Sequence, residues 1–279
     1  MTLTFQINYR TEYGQTLCVI ETRESILGWT EKTPLLLSCH GADFWTATIP
    51  VSDFAGVVEY KYAIRLQDGS FIYEAGEPRT MQLRAADKKI VVRDFWQAID
   101  YEKSFYTTAF LKSLFLRQKP QKAKAPKGNI RLTIDLPQIL PTQGVAVVGN
   151  IPALGNWDHS EKLIMADGEF PLWRADFEAP VDQIIEYKYL IYDLKTGATV
   201  DQEWGENRKI WGVQKGVKIN QNDRSFRRTQ PRFKGAGVAV PVFSLRTEEG
   251  FGIGEFLDLK KLAEIARSEE RRVGKECRS

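Results

Sequence analysis

The chain has 279 residues, 43% of them hydrophobic and 27% charged, with 39 Lys and Arg against 36 Asp and Glu for a net charge of +3. That balance excludes a disordered or fibrous chain, and the basic residues alternate with acidic ones, forming no patch for nucleic acid. No run approaches the roughly eighteen apolar residues of a membrane helix. The N-terminus "MTLTFQINYRTEYGQ" has no secretory signal pattern. Cys18, Cys39 and Cys277 show neither CxxC nor Cys/His spacing, so no disulfide framework, metal site or cofactor is expected. A reducing, cytoplasmic setting fits, with Cys18 and Cys39 as buried thiols.

In chain order, "LTFQINYRT", "FWTATIP", "VEYKYAIRL" and "KKIVVRDFW" alternate apolar and polar residues, as half-buried strands do. "SFYTTAFLKSLFLRQKPQKAKAPKGN" follows, first with helical apolar spacing and then rich in Lys, Ala and Pro, which reads as a short docking helix and a solvated linker. Alternation resumes in "IRLTIDLP", "LWRADFEAP", "IEYKYLIYDL" and "GVKINQND". The turns "QDGS", "DGEFP" and "KTGA" separate short strands, and the pattern predicts antiparallel, immunoglobulin-like β-sandwiches of about a hundred residues.

The two strand-rich regions are copies. Trp29 and Trp157 stand 128 residues apart, as do Trp45 and Trp173, and "EYKY" occurs at 59–62 and again at 186–189. A period this long means duplicated domains, not a solenoid.

Within the second copy, "VAVVGNIPALGNW" (145–157) raises the possibility of a phosphate-binding loop. It lacks the Lys and hydroxyl of a P-loop, and the residues beyond it predict a polar turn and a strand, with no helix N-terminus to hold an anion. The glycines instead shape a turn that carries Trp157. Trp45 and Trp173, inside predicted strands, belong to the cores, whereas Trp157 and Trp204 stand among polar residues. Two exposed indoles can stack on the apolar C–H faces of successive glucose units while Lys and Asn bind the hydroxyls.

"VGNIPALGNW", "LW", "EYKY" and "EWGENR", in that order and spacing, resemble a family 20 carbohydrate-binding module, the starch-binding domain. The resemblance implies a first starch site of Trp157, Lys188, Trp204 and Asn207. Residues 1–97 resemble the same family with departures. Trp29 and Lys61 take the first platform and the lysine, Tyr73 of "IYEAGEPR" is read as the second platform, and Pro78 stands where asparagine is usual. Weaker binding, a different glucan geometry or a structural role is then expected of the first copy.

Beyond "RRTQPRFKG", "VAVPVFSL" reads as a buried strand, followed by a glycine-containing loop and an amphipathic helix with Phe256, Leu257, Leu259, Leu262 and Ile265. G-x-G occurs in "GFGIGEF", but Leu257 stands where a dinucleotide fingerprint needs its third glycine. "PVFSLRTEEGFGIGEFLDL" is similar to the barrel start of glycoside hydrolase family 77, the 4-α-glucanotransferases of the disproportionating type. That resemblance implies a retaining transfer of α-1,4-glucosyl units by carboxylates on later strands of a (β/α)8 barrel. No catalytic residue is therefore assigned; Glu248, Glu249 and Glu255 flank a helix start, where carboxylates are solvated or capping.

The expected organisation is a divergent first module at 1–98, a helix and linker at 99–128, a second module at 129–226, the start of a truncated barrel at 227–266, and a non-native tail at 267–279. The native chain is expected to continue beyond residue 266. The expected partners are starch, glycogen or malto-oligosaccharides, with no nucleic acid and no membrane. A non-catalytic glycan-sensing or adaptor protein is the alternative, which the segment 236–266 disfavours because an adaptor needs no barrel start. A starch-degrading hydrolase is disfavoured by the family 77 resemblance.

Overall fold

Strands β1 (Thr2–Asn8), β2 (Thr16–Glu21), β3 (Leu35–Leu36), β4 (Ser38–His40), β5 (Phe44–Pro50), β6 (Gly56–Arg65), β7 (Phe71–Tyr73), β8 (Arg79–Leu83) and β9 (Lys89–Phe95) form the first copy. The second comprises β10 (Ile130–Asp135), β11 (Gln143–Gly149), β12 (Leu163–Ile164), β13 (Ala166–Glu169), β14 (Leu172–Phe177), β15 (Ile185–Asp193), β16 (Thr199–Gln202), β17 (Arg208–Ile210) and β18 (Val217–Asp223). The computed structural model describes residues 1–23, 26–52, 55–98, 128–228, 240–248 and 252–265. The predicted docking helix and linker and the tail with Cys277 lie outside the described residues. The chain divides into two units, Met1–Gln230 and Pro231–Ser279.

Each copy is a sandwich. One layer of the first is β3-β2-β6-β7 with β8 also on β6, and one layer of the second is β12-β11-β15-β16 with β17 also on β15. Their other layers merge into one eight-stranded sheet, β13-β14-β10-β18-β9-β1-β5-β4. Most pairings are antiparallel, as the turn spacing predicts. Three are not: β1 with β9 and β10 with β18 are parallel because each copy closes by laying its last strand beside its first, and β9 with β18 is parallel where the last strands of the two copies meet.

The alternation read in the sequence is the burial pattern. Phe5, Tyr60, Tyr62, Trp45 and Leu83 line the first core; Ile134, Trp173, Tyr187, Tyr189 and Ile219 line the second. Trp45 and Trp173 are core residues as expected, and their indole N–H groups donate to the carbonyls of Tyr9 at 3.0 Å and Leu136 at 3.1 Å.

Both cores hold the same buried polar clamp. In the second, the hydroxyls of Tyr187 and Tyr189 donate to Asp223 Oδ2 at 2.6 and 2.7 Å, and Arg208 pairs with Glu203 at 2.7 Å and Asp223 at 3.2 Å. In the first, Tyr60 and Tyr62 donate to Asp94 at 2.8 and 3.0 Å, and Arg79 pairs with Glu74 at 3.0 Å and Asp94 at 3.4 Å. Burial, then the neighbouring aspartate, pushes all four phenols well above their usual range, so they remain donors. The tyrosines correspond at a separation of 127 residues, and Glu, Arg and Asp at 129.

That correspondence explains the seam between copies. β18 pairs with β9 in the register Val217↔Lys89 to Gln221↔Arg93, joining residues 128 apart, one short of the equivalent pair. Neighbouring residues across a sheet share a face, and faces alternate along a strand. Ile90 and Val92 face the first core, so Val217 and Ile219 face the other way, together with Val91, which joins the second core. The two cores thus lie on opposite faces of the shared sheet.

Two other expectations are corrected. Cys18 is buried, but Cys39 is exposed, because it lies on β4 at the edge of the large sheet. The second unit has, at Val242–Ser244, a 3-10 turn where a buried strand was predicted, because a parallel barrel strand exists only when flanking strands pair with it, and there is none among the described residues of this unit. The predicted helix is present at 256–265, and Asp258 at its third position reaches back to accept from the Glu255 amide and the Thr247 hydroxyl. Phe256, Leu257 and Ile265 are exposed, while Leu259 and Leu262 are half-buried.

The clamp predicts a definite acid response. Burial raises the Glu203 carboxyl, but hydrogen bonding and charge from Arg208, then from Arg227, outweigh it and hold the group below the usual range. A lowered folded-state pKa stabilises the fold above the unfolded value of about 4.3 and loses that contribution as pH falls through the folded value. Urea midpoints should be flat from about pH 7 to 5 and fall below about pH 4. Arg208→Ala, which removes the shared guanidinium from two buried carboxylates, should cost about 3–5 kcal/mol in the same titrations at neutral pH.

Candidate functional site

The outer face of β15 gathers the residues singled out in the second copy. Tyr187 and Tyr189 point inward to the clamp, so Lys188 between them points outward. β11 lies on one side, with Val148 opposite Lys188, and ends at Gly149. On the other side Arg208 of β17 stands opposite Tyr187, and the Glu203 amide donates to the Tyr189 carbonyl at 3.1 Å. The loop after β11 and the segment 203–208 therefore flank Lys188, and these two connections carry Trp157, Trp204 and Asn207.

The Trp157 loop is held rigidly. Asn150 donates to the Ile184 carbonyl and accepts from the Glu186 amide, and its own amide donates to the Glu186 carbonyl. Gly149 is required by close approach, since a Cβ there would lie 2.4 Å from the Glu186 carbonyl oxygen. Ile151 and Leu154 are buried and anchor the turn Pro152–Trp157. Gly155, Asn156 and Trp157 then have φ of +73°, +48° and +69°. A left-handed conformation is costly for so bulky a residue as tryptophan, about 1–3 kcal/mol, and persists where the surroundings impose it. The outcome is an indole 37% exposed at the rim of the sheet.

Trp204 is 67% exposed and follows Glu203, which is 2% exposed. The Glu203–Arg208 pair closes the segment between them, so residues 204–207 are forced outward as a short loop. Asn207 is fixed by donating to Glu186 Oε2 at 3.0 Å, which leaves its amide oxygen as an acceptor. This bond, followed by Lys209 at 3.1 Å, lowers the Glu186 pKa. Glu186 and Asn150, which position Asn207 and the Trp157 loop, were not identified from the sequence, because their roles depend on strand register.

The first copy departs further than the sequence implied. Trp29 is 7% exposed and packs edge-on against Phe5 at 5.6 Å, so it is a core residue and not a platform. The cause is Glu21, which stands where the second copy has Gly149. Its carboxylate accepts from the amides of Ile26, Leu27 and Trp29 and draws the loop inward. The Glu74–Arg79 pair also corrects the reading of "IYEAGEPR". Glu74 corresponds to Glu203, so Ala75, and not Tyr73, occupies the place of Trp204. Tyr73 is 38% exposed on β7, its hydroxyl donating to Glu31. Lys61 is half-buried, and its Nζ donates to the Glu74 carbonyl at 3.4 Å.

Each copy is a sandwich with a buried Tyr–Asp–Arg–Glu clamp, and one copy adds two exposed indoles on the loops flanking an outward lysine. That chemistry suits the C–H faces and hydroxyls of a sugar, and so a carbohydrate-binding class of domain. The sequence matches the Starch binding domain family over residues 1–92 and 128–222, more than half of the chain, and the chain belongs to that family. It is 27% identical over 290 residues to 4-alpha-glucanotransferase DPE2 of Oryza sativa subsp. japonica, a match taking in 95% of this chain and 30% of that protein. It is 29% identical over 93 residues to cyclomaltodextrin glucanotransferase of Klebsiella oxytoca, covering 33% of this chain and 14% of that one. The chain thus spans less than a third of the length of these curated relatives. Among solved structures, the family 20 module of a maltotetraose-forming amylase from Pseudomonas saccharophila STB07 aligns at 21% identity and a TM-score of 0.29, covering 33% of this chain and 97% of that one. No described helix is long and apolar enough to cross a membrane.

The loop geometry yields a test. Gly155→Ala combines φ of +73° with a Cβ 2.7 Å from the Glu161 carbonyl oxygen. It should destabilise the chain by about 1–3 kcal/mol in urea unfolding, whereas Gly197→Ala, which meets nothing within 4 Å at φ +74°, should cost only about 1 kcal/mol.

Proposed function

We propose that this chain is the α-glucan-binding region of a 4-α-glucanotransferase, with the second module, residues 129–226, as its principal glucan site. The observation that carries the reading is the surface around Lys188, where Trp157 and Trp204 flank an ammonium and an oriented asparagine. Glucose offers C–H faces to the indoles and hydroxyls to Lys188 and Asn207, so starch, glycogen or malto-oligosaccharides are ligands of matching chemistry. Membership of the starch-binding family supports the same ligand class. The first module, residues 1–98, retains the clamp but has Trp29 inside and Ala75 at the second platform, which gives it a scaffolding role and at most weak binding through Lys61 and Tyr73.

The enzymatic half of the reading rests on the rice relative, which matches 95% of this chain and extends well beyond it. In the longer protein, residues 227–266 would begin the catalytic barrel and the modules would hold long or branched glucan near it. Transfer of α-1,4-glucosyl units by the uninterrupted gene product is the corresponding assay. Absence of transfer to glycogen would leave the chain a non-catalytic glycan-binding protein.

For the site, Trp157→Ala and Trp204→Ala should each weaken retention on amylose and binding of β-cyclodextrin by about tenfold or more, with unfolding midpoints near wild type. Ala75→Trp should leave the second module's binding unchanged. Unaltered β-cyclodextrin affinity in both tryptophan variants would remove the assignment.

A further inference from the structure

A third exposed tryptophan of the second module lies away from this surface. Trp211 follows β17, is 58% exposed and belongs to neither core. Its construction repeats that of Trp204. Each is followed by a left-handed glycine, Gly205 at φ +84° and Gly212 at φ +70°. Beside each glycine the nearest group to a Cβ would be a guanidinium, Arg227 Nη1 at 3.8 Å and Arg93 Nη2 at 3.6 Å. Each tryptophan is bound to that arginine: the Trp204 amide donates to the Arg227 carbonyl at 2.8 Å, and Arg93 Nη2 donates to the Trp211 carbonyl at 2.7 Å.

Arg93 does more than hold the main chain. Its guanidinium carbon lies over the Trp211 ring, 5.3 Å from the centroid, and Gln6 Oε1 accepts from its Nε at 3.1 Å. Arg93 belongs to the first module. The indole is therefore fixed from one side by a cation from the other copy, across the β9–β18 seam. Next in the chain, Val213 is fully buried and its carbonyl accepts from the Asp182 amide, so the segment is anchored on its other flank as well. The clamp correspondence places Gln82 at the equivalent position, so the first module has no counterpart of this ring.

We propose that Trp211 is a second glucan-stacking site of this chain, built at the seam by Arg93 and separate from the Trp157–Trp204 surface. The proposal rests on the reading of the chain as glucan-binding and extends it. Ile210 pairs with Ile185, which places Trp211 beyond the start of β15, about 13 Å along the strand from the level of Lys188. A tryptophan serving only to seal the seam would bury its ring; this one is held at its carbonyl and over its ring by Arg93 and keeps more than half its surface in solvent. A ring pre-oriented in this way loses little conformational freedom on stacking against a pyranose. Two stacking sites on one module would let it hold two turns of a helical glucan, or two neighbouring chains, with a gain in avidity.

The test follows each indole N–H by NMR in the full chain during β-cyclodextrin titration. Trp211 should shift with its own saturation curve, and should still do so in the Trp157→Ala/Trp204→Ala double variant, in which retention on amylose falls but is not abolished. Adding Trp211→Ala should abolish the remainder, and Trp211→Phe should restore part of it. Thermal unfolding of each variant establishes that it is folded. If Trp157 and Trp204 shift while Trp211 stays fixed at saturation, the seam site is overturned and the principal site stands. If no indole shifts in the wild-type chain, the glucan-binding reading itself falls.

Discussion

Each half of Met1–Gln230 is organised around one buried carboxylate that gathers two phenols and a guanidinium. Asp223 cannot be buried as an ion without compensation, and Tyr187, Tyr189 and Arg208 supply it. That requirement fixes the inward face of β15 and so places Lys188 outside. The same arginine reaches Glu203, closing the loop that carries Trp204 and Asn207. A core demand therefore shapes the surface proposed for glucan: Lys188, Trp204 and Asn207 are each a neighbour in sequence of a clamp residue.

The two copies show how such a scaffold diverges. Asp94, Tyr60, Tyr62, Arg79 and Glu74 reproduce the clamp, so the first sandwich keeps its architecture. Its surface has changed through two positions. Glu21 in place of a glycine collects loop amides and turns Trp29 onto Phe5, and Ala75 removes the second ring. The platforms sit in loops, where such changes leave the core packing intact.

The seam adds a constraint that neither copy has alone. One residue of register offset between β9 and β18 sends the two cores to opposite faces of the shared sheet, with Val91 crossing into the second. The outer faces bearing Lys61 and Lys188 consequently look in opposite directions. The first module contributes to the second through the seam itself, where Asn222 donates to Asp94 at 2.6 Å and Arg93 holds Trp211. In this arrangement the divergent copy supports its partner.

Much of this was written locally. Period-two alternation marked nearly every principal strand, the repeated "EYKY" marked the duplication, and the polar context of Trp157 and Trp204 marked them as exposed, because side-chain alternation and turn chemistry act over a few residues. The features misread or passed over depend on tertiary contacts, whether the partner is near in sequence or far. The inward turn of Trp29 needs Glu21 and Phe5. The correspondence of Ala75 with Trp204 becomes visible only through an ion pair. The exposure of Cys39 follows from β4 lying at a sheet edge, and Trp211 is distinguished by Arg93 from the other copy. A strand announces itself by its own pattern, but which strand lies beside it, and in what register, is decided by packing across more than a hundred residues of chain. That packing places Arg93 on Trp211 and separates the two cores.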